Sequence, residues 1–302
     1  MDIYLPIAGQ SVNALLIILL GGLVGVLSGM FGVGGGFLTT PLLMFYGIPP
    51  TVAVASATTQ ITGASVSGVF AHMRRGGVDL KMGAVMTVGG AIGSLAGALL
   101  FKLLQKTGQI DLVIGFLYVI LLGSIGGLML KDALVALGWV KVEKPAERPR
   151  HNRWVASLPG RWRFYDSGLY LSPIAPMLLG FGTGILTVLL GVGGGFILVP
   201  AMIYVLGMAP RVVIGTSLVM VLAVSAVTTM VHSMTTHAVD IVLAALLLLG
   251  GVVGAQYGAT LATRLKPDLL RLMLAVIILA VALRMLIGLT WRPDEIFTIE
   301  YL

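Results

Sequence analysis

Cysteine is absent from the 302 residues. Disulfides and thiolate-held metals are therefore excluded. Charge is scarce: Asp, Glu, Lys and Arg make up 10% of the chain, against about 25% in a soluble domain. The four histidines are scattered, and none stands in an H-E-x-x-H spacing, so neither a metal nor a cofactor is expected. There is no G-x-S-x-G elbow and no paired carboxylate within any apolar run. No catalytic constellation emerges, and an enzyme is not expected. What the chain has instead is apolar residues, 58% of the total, and 41 glycines. Its mean hydropathy is +1.04. Such a chain cannot cover itself with polar surface, and a lipid bilayer is its expected surrounding.

The net charge of +7 does not imply nucleic acid. The basic residues sit in short loops between apolar runs, as the positive-inside rule distributes them in membrane proteins. No basic residue precedes the first apolar run of MDIYLPIAGQSVNALLIILL. A cleavable signal would carry a positive n-region there, so this run reads as a retained membrane segment.

A membrane helix needs about 20 apolar residues. Ten candidate segments are expected, near 12–31, 35–48, 51–72, 81–104, 110–131, 169–190, 195–208, 211–233, 239–263 and 268–290. The second and seventh are short, and each directly follows a glycine cluster. Between the fifth and sixth lies the long polar stretch GWVKVEKPAERPRHNRWVASLPGRWRFYDSG, broken by Pro145, Pro149 and Pro159. It divides the chain into a first transmembrane repeat (1–138), a cytoplasmic basic linker (139–168) and a second repeat (169–302).

The two halves are copies. Gly32-Val33-Gly34-Gly35-Gly36-Phe37 matches Gly191-Val192-Gly193-Gly194-Gly195-Phe196. Pro41 then falls on Pro200, Pro50 on Pro210, Ser56 on Thr216, Ala57 on Ser217, His72 on His232 and Asp79 on Asp240. Agreement at such steady offsets is the mark of duplication. Five segments per half put the second copy upside down. If the first two segments of each half instead enter and return as a hairpin, the parity is unchanged. With the linker inside, most Lys and Arg lie on its side, and only Lys102, Lys106, Arg284 and Arg292 lie opposite. The expected fold class is an all-α polytopic membrane protein of two inverted-topology repeats, with broken or re-entrant helices at segments two and seven. It would sit in the cell membrane, multi-pass, with the linker cytoplasmic and both termini outside the cytoplasm.

Inverted repeats and paired, Gly-interrupted short segments point to a transporter site near the midplane. A helix start leaves N–H groups without partners, and in hydrocarbon each costs several kcal/mol. A helix N-terminus also carries about half a positive charge and suits anions. The substrate-binding candidates are Gly34, Gly35 and Gly36, matched by Gly193, Gly194 and Gly195. The alternative for these glycines is close helix packing, which is the reading for GGAIGSLAG (89–97). Thr58, Thr59 and Gln60 in segment three, and Thr216 and Ser217 in segment eight, carry donors suited to anion oxygens. Helix-to-backbone bonding is their alternative. His72 and His232 are candidates for a proton-linked or gating role, against simple helix capping. No Asp or Glu lies in the middle of a span, which argues against a cation as cargo. The expected partners are a small anionic substrate and the bilayer, with no nucleic acid; a homodimer is left open.

The phrases GMFGVGGGFLTTPLL and GIPPTVAVASATTQITGASVSGVFAHMRRGGVDL resemble the sulfite exporter TauE/SafE family. GVGGGFILVPAMIYVLGMAPRVVIGTSLVM and VHSMTTHAVD repeat the resemblance in the second half. It covers nearly the whole chain apart from linker and termini. It implies an all-helical transporter, often of sulfur-containing anions such as sulfite or organosulfonates; together with the inverted repeats, an exporter working by alternating access is expected. An anion channel, a carrier of a non-sulfur organic anion and a membrane scaffold are the alternatives. One departure stands out: Ala55-Ser56-Ala57-Thr58 replaces the G-T-S that the second repeat keeps at Gly215-Thr216-Ser217.

Overall fold

The computed structural model describes residues 2–31, 36–74, 76–136, 158–262 and 267–290. Ten helices run through these residues: α1 (Ala14–Phe31), α2 (Gly36–Phe45), α3 (Pro50–Arg74), α4 (Leu80–Lys106), α5 (Ile110–Ala136), α6 (Ile174–Leu190), α7 (Gly195–Tyr204), α8 (Pro210–Thr235), α9 (Ile241–Ala262) and α10 (Pro267–Thr290). Five are long and apolar enough to cross a membrane, over Leu80–Lys106, Ile110–Val135, Val212–Thr235, Ile241–Gly258 and Leu272–Thr290. α3 has 25 residues, but its Ser, Thr and Gln dilute its hydropathy. The expected segments thus appear as helices, in the expected order.

Two antiparallel hairpins were not anticipated. β1 (Asp2–Leu5) pairs with β2 (Gln10–Asn13), and β3 (Trp162–Phe164) pairs with β4 (Leu169–Leu171). Each precedes the first helix of its half. The second straddles the boundary expected at 168/169, so the end of the polar stretch is folded.

The helices pair across the two halves. α1 packs on α9 in parallel, with Gly21, Gly25 and Gly29 against Leu247, Gly251 and Ala255. α4 packs on α6 in the same way, with Gly89, Gly93 and Gly97 against Met177, Phe181 and Ile185. At these contacts a Cβ would overlap backbone of the facing helix, so glycine alone permits the approach. The packing role expected of GGAIGSLAG is the one it has. α3 and α8 run antiparallel, because Thr59 meets Thr229 while Thr62 meets Ser225. α5 and α10 are also antiparallel, with Gly115 against Leu289 and Gly126 against Ile278.

Two carboxylates tie hairpins to helices. Asp79 caps α4 by accepting from the Met82 N–H at 2.8 Å. Its other oxygen accepts from the Ser167 N–H (3.1 Å) and hydroxyl (2.7 Å), in the β3–β4 turn. Asp240 does the same for α9, accepting from Leu243 N–H at 3.1 Å and from Ile7 N–H, in the β1–β2 turn, at 3.2 Å. Both aspartates are fully buried. A buried carboxylate persists only when hydrogen-bonded, and here the partners come from both halves.

Candidate substrate site

The break between α6 and α7 is built by three left-handed glycines: Gly191 (φ 68°), Gly193 (φ 71°) and Gly194 (φ 76°). L-residues avoid this region, so glycine is required. Gly191 closes α6 with its N–H on Thr187 O at 2.8 Å, and Gly194 is the N-cap of α7. A helix end leaves its last carbonyls unpaired. Two side chains from other helices meet that need. His232 Nε2 donates to Val188 O at 3.1 Å, and the Tyr118 hydroxyl donates to Leu190 O. His232 is 1% exposed, and the ring of Phe101 meets its imidazole edge-on at 4.9 Å. The equivalent break before α2, with Gly34 and Gly35, lies outside the described residues. His72 sits half-buried in the last turn of α3.

The two helix starts come together. Phe37 and Phe196, at matched positions in the repeats, stack with centroids 4.3 Å apart and planes 6° apart. The space between Gly36 and Gly193 is filled by Ile61. A Cβ on Gly36 would overlap Ile61 Cδ1, and one on Gly193 would meet Ile61 Cγ2 at 2.8 Å. The described glycines therefore make room for an aliphatic side chain from α3. A Cβ on Gly193 would also meet Cγ1 of Val221, which matches Ile61 in the second repeat, at 3.5 Å.

Polar groups flank this centre along α3 and α8. Thr58 and Thr59 each bond back to their own helix, to Val54 O at 2.6 Å and Ala55 O at 3.0 Å. Thr59 also reaches Thr229 at 3.4 Å, and Thr62 bonds Ser225 at 2.9 Å. Ser94 of α4 meets Thr228 at 3.1 Å. Gln60 accepts from the Thr39 hydroxyl of α2 at 3.2 Å. Thr216 lies elsewhere: its hydroxyl accepts from the Asp79 N–H at 2.9 Å, as its match Ser56 accepts from the Asp240 N–H at 3.2 Å. Ser217 bonds back to Ile214 O at 2.9 Å. Of the sequence candidates, Gly36 and Gly193 thus meet around Ile61, Thr59 faces α8, Gln60 faces α2, and Thr216 lies in the α3–α4 junction.

Sequence reasoning missed Tyr118, Thr39, Thr62, Ser225 and Thr229. Thr62 lies two residues beyond the candidate Gln60, but Tyr118 gave no local signal. A cavity of about 370 Å³ between α5 and α7 is walled by Phe196, Pro200, Ile125, Met129, Tyr204 and Asp132, and so reaches one ring of the stack. Among the described residues no three His, Asp or Glu side chains converge as metal ligands would.

The family model for sulfite exporter TauE/SafE matches residues 17–285, from α1 to α10. A probable membrane transporter protein of Xylella fastidiosa (strain Temecula1) is 29% identical over 276 residues, covering 90% of this chain and 93% of the relative. The probable membrane transporter protein YjnA of Bacillus subtilis (strain 168) is 29% identical over 280 residues, covering 89% and 98%. The sulfite exporter TauE/SafE family protein 1 of Arabidopsis thaliana is 29% identical over 107 residues, 35% of this chain and 24% of that one. No solved structure matches. The family model, which spans α1 to α10, and the two transporter relatives that cover about nine-tenths of the chain identify it as a member of the sulfite exporter TauE/SafE family and a membrane transporter, not an enzyme.

Proposed function

We propose that the protein is a secondary transporter that exports a small sulfur-containing anion, such as sulfite or an organosulfonate, by alternating access between two inverted repeats. Inversion is supported by the antiparallel course of the matched pairs α3/α8 and α5/α10. The short helices support re-entry. At about 1.5 Å per residue, the ten residues of α2 and of α7 reach about 15 Å, half of a hydrocarbon core about 30 Å thick. The end of α2 returns to the side where α1 begins: Tyr46 accepts from the Asn13 N–H at 3.3 Å, and Leu43 and Ile48 pack with Leu5 and Val12. Three full crossings per repeat follow, with the linker cytoplasmic and both termini outside.

One observation carries the reading: the Phe37–Phe196 stack joins the starts of the two short helices at the centre of the molecule. In this reading the anion sits beside that centre. The helix starts at Gly36 and Gly195 lend their positive ends, and Thr58, Thr59 and Gln60 belong to the polar surround, whereas Thr216 serves the α3–α4 junction and Ser217 bonds its own helix. Ile61 and the phenylalanine pair form the closed barrier that must part for passage. The sulfur in the substrate comes from the family's description; the preference for an anion rests on the positive ends of the two helix starts. Counterflow in liposomes tests the proposal. Purified protein should show saturable sulfite or methanesulfonate flux, accelerated by unlabelled substrate on the far side. Conducted current without trans-stimulation would make it a channel, and no flux of either anion would end the transport reading for sulfur anions.

A further inference from the structure

The repeats are unequal at one buried position. Gln60 of α3 corresponds to Met220 of α8. Both are admitted by a glycine of the helix opposite. A Cβ on Gly251 would meet Gln60 Nε2 at 3.0 Å, and one on Gly90, its match, would meet Met220 Cε at 2.9 Å. Thr39, which fixes the Gln60 amide, corresponds to Leu198. In the second repeat Leu198 and Met220 both belong to an apolar cluster. This niche is therefore filled satisfactorily by a thioether, and packing does not demand an amide.

Gln60 is 5% exposed. Its oxygen accepts from Thr39, which leaves Nε2, set against Gly251, as the uncommitted donor. That nitrogen makes no hydrogen bond to a described residue, nor is it among the fully enclosed atoms that lack partners, so it borders unfilled space. A buried, unpaired amide is costly to keep. Donors without acceptors suit a ligand that only accepts.

We propose that Gln60 Nε2, held by Thr39, is the oxyanion-reading subsite of the transporter, and that only the first repeat carries it. The inference rests on the anion-transport reading above and deepens it. The two repeats then divide the work: α2–α3 reads the anion's oxygens, and α7–α8 packs.

Gln60→Met makes the first repeat copy the second, and is the test. Melting in detergent is measured without ligand and with sulfite or methanesulfonate. The variant should melt close to wild type without ligand, because the Thr39 hydroxyl loses its acceptor while an unpaired amide is removed and the volume is kept. It should bind either probe at least about tenfold more weakly, the loss of one hydrogen bond to a charged group. Met220→Leu should leave affinity unchanged. Equal affinity in wild type and Gln60→Met overturns the subsite while leaving the transporter reading intact. A Gln60→Met protein that melts well below wild type shows a structural role and overturns it too. A wild-type protein that neither probe stabilises or crosses with removes both readings.

Discussion

The Tyr118 hydroxyl offers a clean measure of what holds a helix break inside a membrane. Leu190 ends α6, and its carbonyl has no continuing helix to pair with. Both Leu190 and Tyr118 are 0% exposed, so water cannot stand in. Tyr118→Phe deletes the donor and keeps the ring, so no cavity opens. What is lost is the partner of one buried carbonyl, about 1–3 kcal/mol, with the upper part of the range favoured by the lack of water. That is roughly 2–5 °C of melting temperature for a chain of this size. The assay is thermal unfolding in mild detergent. His232 serves the carbonyl two residues earlier, so His232→Leu should cost at least as much. The double variant should cost less than the two single losses added, because both act on one helix end and coupled sites are non-additive. An unchanged melting temperature in Tyr118→Phe would refute the capping argument, and strict additivity would refute the idea of a shared helix end.

Side-chain contact separates two neighbouring glycines that share a left-handed backbone. Gly194→Ala should cost about 1–2 kcal/mol through its left-handed φ alone, since a Cβ there would sit at an ordinary 3.4 Å from Thr183 Cβ. Gly193→Ala should cost more, because the same strain is joined by contact with Ile61, and Ile61→Ala should recover the difference; melting curves of the three variants check this. Asp79→Ala should loosen the β3–β4 hairpin more than Asp240→Ala loosens β1–β2, since Ser167 gives Asp79 two bonds and Ile7 gives Asp240 one. Faster tryptic cleavage after Arg163 in Asp79→Ala is the expected readout, and loss of the N-cap adds about 0.5–2 kcal/mol to the destabilisation.

The departure at Ala55-Ser56-Ala57-Thr58 gains a meaning from the fold. Ser56 takes the same structural role as Thr216, each receiving the N–H of the matched aspartate from the other half. The hydroxyl is kept where the junction needs it, and the residue after it is free to change from Ser217 to Ala57. Asp79 and Asp240 were visible in the sequence as a matched pair, but their partners in two hairpin turns were not. Strands of three or four residues are too short for an alternating pattern to declare itself.

Composition and periodicity by themselves determined a membrane bundle, its ten helical segments, the duplication and the glycines that let helices approach. Those features are written along one chain segment at a time: run length, spacing and offset suffice to see them. Only the tertiary structure decided that Phe37 stacks on Phe196, that Ile61 fills the space between Gly36 and Gly193, and that Tyr118 and His232 cap a helix neither belongs to. Which side chain fills a gap depends on the rotation and crossing of helices distant in sequence, and an apolar residue buried in a helix looks the same in the sequence whether it faces a lipid tail or the centre of the protein. Gln60 lies between the two cases. Its polarity marked it in the sequence, but the structure set it against its apolar twin, Met220, where the difference between the repeats takes chemical form.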